Sequence, residues 1–174
     1  MASIVNTVLS IFSIVAQLAI TMLVFSWLFG LHIPEKIQRH TVAIAFAVAL
    51  IATLGSLTYS DILGYEPCKL CWIQRIFMYP QVLILGMVLW GRHKGNRALL
   101  DTSLVMSAIG AVIALYHYFM QLGIVPEGSC AAVGYSVSCA KLFVLQLGYI
   151  TIPLMAFSAF LLIALSIHLA KRTI

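Results

Sequence analysis

Five long apolar runs dominate this chain and leave few folds open to it. They cover Ile4–Gly30, Thr41–Tyr59, Trp72–Trp90, Ala98–Gln121 and Thr151–Ala170. Each approaches or exceeds the ~20 apolar residues that carry a helix across the hydrocarbon of a bilayer. Only Arg75 and Asp101 bring a charge inside a run, each near an end. With 63% hydrophobic and 9% charged residues in 174, the chain lacks the polar surface of a soluble domain. The expected fold is all-α: one polytopic membrane domain, residues 1–174, with no internal repeat and no low-complexity tract.

The first run differs from a secretion signal. No Lys or Arg precedes it, and its apolar stretch is about twice the usual length. It reads as a retained helix. Asn6, Ser10, Ser13, Gln17 and Thr21 recur at spacings of three and four and so share one face. A stripe of small and polar residues suits helix–helix packing within a membrane, here against the chain's own bundle.

Basic residues orient the bundle. Lys36 and Arg39, then Arg92, Lys94 and Arg97, then Lys171 and Arg172 make seven of the ten Lys and Arg, all at the odd-numbered connections and the tail. The positive-inside rule puts those in the cytoplasm and the N-terminus outside. Lys69, Arg75 and Lys141 fall on the outer side with Asp61, Glu66 and Glu127. The net charge of +5 reflects this cytoplasmic rim and points to no nucleic-acid partner. The outer connections are a short loop over residues 60–71 and a longer one over 122–150. Gly123, Pro126, Gly128 and Gly134 keep the first half of the longer loop irregular. Lys141–Leu147 is too short to span and too apolar to float, which predicts that it lies in the outer interface.

All four cysteines fall in those outer loops. Cys68 and Cys71 frame a Cys-x-x-Cys motif at the mouth of the third helix, and Cys130 and Cys139 bracket Ala131–Ser138. Their closeness in sequence pairs Cys68 with Cys71 and Cys130 with Cys139, on a side where disulfides persist. The amides and dipole of a helix start favour thiolate, and a low thiolate pKa makes a redox-active pair. Fixed structural disulfides and a zinc site are the competing readings, but this Cys spacing is unusual for zinc. Arg75 stands one turn below Cys71 on the same face. An arginine just inside the bilayer is costly, and its fork suits a thiolate or the carbonyl of a quinone better than mere snorkelling to headgroups. Beyond it, Tyr79-Pro80 predicts a kink that opens a slot for a flat ring.

These residues resemble a family. Gly55-Ser56-Leu57, Glu66-Pro67-Cys68-Lys69-Leu70-Cys71-Trp72-Ile73-Gln74-Arg75-Ile76, Met78-Tyr79-Pro80 and Gly148-Tyr149-Ile150-Thr151-Ile152-Pro153 look like the DsbB/BdbC family of bacterial membrane thiol oxidoreductases. The likeness covers roughly residues 42 to 170 and is closest to the BdbC branch. It implies a four-helix transmembrane bundle in the bacterial cell membrane, here with one extra N-terminal helix. Such a protein reoxidises a soluble thioredoxin-fold thiol oxidase and passes the electrons to a membrane quinone, ubiquinone or menaquinone, without a metal. By the same resemblance, Cys71 is the quinone-proximal thiolate, Cys68 its partner and Arg75 the arginine beside the quinone. Cys130 and Cys139 then exchange with the soluble partner, Cys130 carrying the mixed disulfide. Two departures stand out: the helix over 4–30 lies outside the family pattern, and Cys130 and Cys139 are closer together than in DsbB proper.

Other functions fit less well. An enzyme like vitamin K epoxide reductase would carry its loop pair ahead of the Cys-x-x-Cys, and here it follows. A b-type cytochrome needs two histidines at matching depth. His32, His40, His93 and His168 lie toward the cytoplasmic side and His117 alone near the outer end, so no pair forms. A non-enzymatic membrane protein with two structural disulfides leaves Arg75 unexplained.

Overall fold

A lipid-facing backbone must satisfy its own hydrogen bonds, and helices do so within one segment. The computed structural model describes residues 2–30, 35–90, 96–126 and 137–173 and is built on that solution. Five helices follow in order: α1 Ala2–Leu28, α2 Glu35–Leu57, α3 Lys69–Trp90, α4 Arg97–Gln121 and α5 Ile152–Thr173. All five are long and apolar enough to cross a membrane. No strand occurs among the described residues, only an isolated bridge between Gln146 and Ile150.

The helix ends differ from the apolar runs for a physical reason. Hydropathy marks the part of a helix that sits in hydrocarbon, whereas hydrogen bonding continues into the polar margin. Thus α2 begins at Glu35 rather than Thr41, and α5 runs to Thr173 rather than Ala170. After Leu57 the chain widens into a π-helical turn, Thr58–Ile62, carrying helical structure past Tyr59. Gly64, with φ of +68°, then reverses the chain in a conformation that other residues adopt only with strain. At α3 the helix starts at Lys69 rather than Trp72, which puts Cys71 in its first turn. Asn96 caps α4, its side-chain oxygen accepting from the Ala98 amide at 3.0 Å.

Helices α2 to α5 form the bundle. α5 packs on both α2 and α4, and α3 closes the ring between them, while α1 lies against α5 from outside. The core is filled by Leu85, Leu100, Phe160, Ile163 and Ile167, each fully buried. Gly110 makes room for Phe160 of α5 against α4, because a Cβ there would stand 2.4 Å from the Phe160 ring. At the end away from the cysteines, Lys171 pairs with Asp101 across the same two helices.

The polar stripe of α1 faces the bundle through part of its length. Ser10 and Ser13 are buried, and Gln17 donates to Ser158 of α5 at 3.4 Å. Thr21 is exposed and bonds back to the Leu18 carbonyl of its own helix. The segment Lys141–Leu147 is an irregular strap at the Cys68 end of the bundle. Val144 is buried, Phe143 stacks on Tyr65 with ring centroids 5.1 Å apart, and Leu142, Leu145 and Leu147 are exposed.

Candidate active site

The start of α3 brings the Cys-x-x-Cys sulfurs together. Cys68 is the last residue before the helix, and its carbonyl accepts the first turn's Trp72 amide at 3.1 Å. Cys71, one turn on, faces the same way. The Cys68 thiol donates to Cys71 Sγ at 3.2 Å. Cys68 is buried and Cys71 half-buried, so of the two Cys71 is the more accessible. Sharing its proton with Cys71 pushes the Cys68 thiol up to about 12; burial adds to this, and His117 pulls the other way.

Cys139 joins this pair. It is buried and packs with Cys68 and Met120, and Cys71 and Ala140 lie against the same cluster. Three of the four expected site cysteines therefore gather at one end of the bundle. Cys130, and with it the expected Cys130–Cys139 pairing, lies outside the described residues.

A histidine binds this cluster together. His117 of α4 is buried, with Nε2 at 3.0 Å from the Cys139 carbonyl oxygen and 3.7 Å from Cys68 Sγ. On its other side, Nδ1 lies 3.0 Å from Gln74 Nε2. A carbonyl oxygen only accepts, so Nε2 must carry the proton. Nδ1 is then the acceptor, and the Gln74 amide nitrogen supplies the donor. Together the two contacts fix the tautomer and aim an N–H at both the loop backbone and the Cys68 sulfur. The ligand atoms of Cys68, Cys71 and His117 also lie within 4.8 Å of one another, close enough for a thiophilic ion. In the hydrogen-bonded tautomer, however, Nε2 spends its lone-pair position on a proton, and a metal would have to displace that bond to Cys139.

Arg75 turns sideways into the protein. Its Nε donates to Ser56 Oγ at 3.0 Å and an Nη to the Ser56 carbonyl at 3.1 Å, which fixes the guanidinium plane against α2. The Tyr79 hydroxyl donates to the same Ser56 Oγ at 3.2 Å. The Trp72 ring lies 5.1 Å from the guanidinium carbon, a cation–π contact. A snorkelling anchor would point to the membrane edge without such partners, so the contacts favour a positioned cation.

Beside Arg75 opens a cavity of about 190 Å³. Cys71, Gln74, Arg75 and Ser56 border its polar part, and Met78, Ala156 and Phe160 are among the apolar side chains that make the rest. Pro80 lies within α3 just beyond; lacking an N–H, it frees the Ile76 carbonyl from the helix ladder. The site thus combines a redox-capable sulfur, a fixed cation and an apolar slot.

Sequence reasoning singled out the cysteines and Arg75 but set His117 aside as an unpaired histidine. Its partners are distant in the chain, Gln74 by 43 positions and Cys68 by 49, so no local spacing reveals them. The one usable signal was an ionisable residue inside an apolar run at the cysteine end.

Comparison with known proteins gives a consistent result. The family described as "Disulfide bond formation protein DsbB" matches residues 38–170. "Probable disulfide formation protein C" of Bacillus cereus is 42% identical over 130 residues, covering 75% of this chain and 91% of the relative. "Disulfide bond formation protein C" of Bacillus subtilis is 42% identical over 132 residues, covering 73% and 89%. "Probable disulfide formation protein" of Oceanobacillus iheyensis is 40% identical over 129 residues, covering 74% and 86%. No solved structure gives a significant match.

Proposed function

The chain belongs to the DsbB family of disulfide bond formation proteins, and from that premise we propose that it is a membrane thiol:quinone oxidoreductase. Its substrates are a reduced soluble thiol oxidase of thioredoxin fold on one side and a quinone dissolved in the bilayer on the other. The observation that carries this reading is that one cavity is bordered at once by Cys71 and by the anchored guanidinium of Arg75. A planar carbonyl compound fits such a slot, with its ring between apolar side chains and an oxygen toward the cation. When bound, a quinone supplies an acceptor for two electrons and two protons.

The protein's own residues then form a relay. The partner's dithiol attacks the Cys130–Cys139 disulfide and leaves oxidised, giving two loop thiols. The loop dithiol attacks the Cys68–Cys71 disulfide; the loop closes again, and Cys68 and Cys71 are left reduced. Reclosing the Cys68–Cys71 bond releases the electron pair and both thiol protons to the acceptor in the cavity. Each sulfur-to-sulfur step runs through a mixed disulfide and needs the attacking thiolate in line. His117 serves the second step by holding the Cys139 backbone while its N–H faces Cys68. Arg75 would serve the third as a fixed positive charge in the wall of the cavity that Cys71 also borders, where it would favour negative charge on a bound quinone oxygen. The basic residues at the odd-numbered connections support a topology with the N-terminus and the cysteines outside and the C-terminus cytoplasmic.

Two variants test the two ends of the relay. Arg75→Ala should raise the quinone KM while partner exchange continues at its normal rate. Cys139→Ala should accumulate a mixed disulfide between Cys130 and the partner, since the resolving thiol is gone. Unchanged quinone kinetics in Arg75→Ala, or trapping that requires Cys130→Ala instead, would contradict the assigned roles.

A further inference from the structure

Helix α1 lies outside the part of the chain that matches the family, which begins at residue 38. It is nevertheless built into the cavity. Leu9, Phe12, Ser13 and Ala16 of α1 line the space that Cys71 and Arg75 border from α3. The helix is seated there by specific contacts. Gln17 donates to Ser158 of α5 at 3.4 Å and accepts from the Tyr149 hydroxyl at 3.4 Å. On the α2 side, a Cβ added to Gly55 would meet Leu9 Cδ2 at 3.0 Å, so the missing side chain is what lets Leu9 settle there.

The polarity of the cavity runs in one direction. Most of its polar groups, among them Cys71, Arg75, Gln74, Ser56 and Glu66, come from α2, α3 and the loop before α3, while α1 contributes Leu9, Phe12, Ala16 and a single hydroxyl, Ser13. Phe12 is 47% exposed, so this wall borders lipid as well as the cavity. A ligand matching that gradient has a compact polar head and a long apolar tail. We propose that α1 forms a subsite for the isoprenoid tail of the quinone, so that residues of this added helix set the enzyme's preference for long-tailed over tail-free quinones. The proposal rests on the reading of the cavity as the quinone site. It gives α1 a binding role beyond spanning the membrane.

The test uses the full chain in nanodiscs with a dithiol-reduced thioredoxin-fold partner, comparing a long-tailed quinone with its tail-free analogue. Ala16→Phe crowds the α1 wall, and Phe12→Ala removes part of it without crowding, which guards against a variant that merely fails to fold. Ala16→Phe should raise the ratio of long-tailed to tail-free KM by about tenfold, the factor that losing roughly two buried methylenes produces. Phe12→Ala should raise it in the same direction by less. Equal effects on both quinones would overturn the subsite and reduce α1 to a packing element. So would an unchanged ratio in both variants while Arg75→Ala still raises the KM for either quinone. If wild-type protein reduced neither quinone, the quinone reading itself would fall, and the tail subsite with it.

Discussion

Gln74 and Gln81 occupy one face of α3, two turns apart, and both are buried, yet they build opposite kinds of polar cluster. Gln81 closes a ring of contacts between α3 and α4. Its side-chain oxygen accepts from Ser103 at 3.0 Å and Ser107 at 2.9 Å, and its amide donates to the Phe77 carbonyl of its own helix. Nothing in that cluster titrates or exchanges electrons. Gln74 opens a chain instead: amide to His117, ring to the Cys139 carbonyl, with a sulfur 3.7 Å from the same ring nitrogen. The first cluster answers the cost of burying an amide in a membrane by giving partners to both its oxygen and its nitrogen. The second uses the same side chain to aim a ring at a thiol and a loop. Polar residues inside a bundle therefore divide into locks and sites, and the partner at the far end decides which.

That contrast can be broken by experiment. The largest stability effect should come from the lock. Gln81→Leu removes the acceptor of two buried hydroxyls, an expected loss of about 2–4 kcal/mol at roughly 1–2 kcal/mol per hydroxyl. Activity per folded molecule should stay unchanged, as denaturation in mild detergent alongside turnover of the remaining folded fraction would show. A stable Gln81→Leu protein with impaired turnover would erase the distinction between the clusters.

Next in size is the site. His117→Phe keeps the bulk but loses the bonds to Gln74, Cys139 and Cys68. Turnover should fall by about tenfold, equivalent to ~1.4 kcal/mol of positioning. Transfer from the loop pair to Cys68–Cys71 should slow, and partner exchange at Cys130 should not. Gln74→Leu removes the partner of His117 Nδ1 but leaves the ring's contacts to Cys139 and Cys68, so transfer from the loop pair should slow by less, while its loss from the cavity wall is read separately as quinone KM. If Gln74→Leu were the more damaging of the two, the amide would have a role that does not pass through His117.

The smallest effect is a pH profile that sharpens the contrast. The Cys68 thiol is pushed from 9.0 up to about 12. A raised pKa on an acid keeps the proton on, and ionisation arrives only as pH climbs through the raised value. In reduced protein, alkylation of Cys68 should therefore stay slow through about pH 10, and its rise with the thiolate fraction should not level off near the ordinary thiol value. In His117→Phe the contact that lowers the value is lost, so the rise should move to still higher pH. A rise centred near the ordinary thiol value would mean that the shared proton with Cys71 is not what controls Cys68.

How much of this was legible in the sequence follows from which interactions are local. Hydropathy located five helices because lipid solvation acts on each segment alone. The stripe on α1 correctly marked Ser10, Ser13 and Gln17 as the inward face, but not Thr21. Periodicity tells which residues share a face; it does not tell how far along the helix a neighbour remains in contact. Cys68, Cys71 and Arg75 were legible because their relation lies within two turns of one helix. The anchoring of Arg75 on Ser56, and the Gln74–His117–Cys139 chain, join residues brought together only by packing between helices. No spacing in the chain encodes them. The wall that α1 gives the cavity is of the same kind, depending on where Gly55 leaves room for Leu9.

The most direct test of the central claim is quinone reduction driven by a reduced thioredoxin-fold partner, measured on purified wild-type protein and on Cys71→Ser. The relay predicts quinone reduction by the wild type at a rate matched, pair for pair, by partner oxidation. Cys71→Ser should lose quinone reduction entirely while its Cys130–Cys139 pair still undergoes one round of exchange with the partner. Quinone reduction that persisted in Cys71→Ser, or a wild-type protein that oxidised its partner with no quinone consumed, would contradict the account.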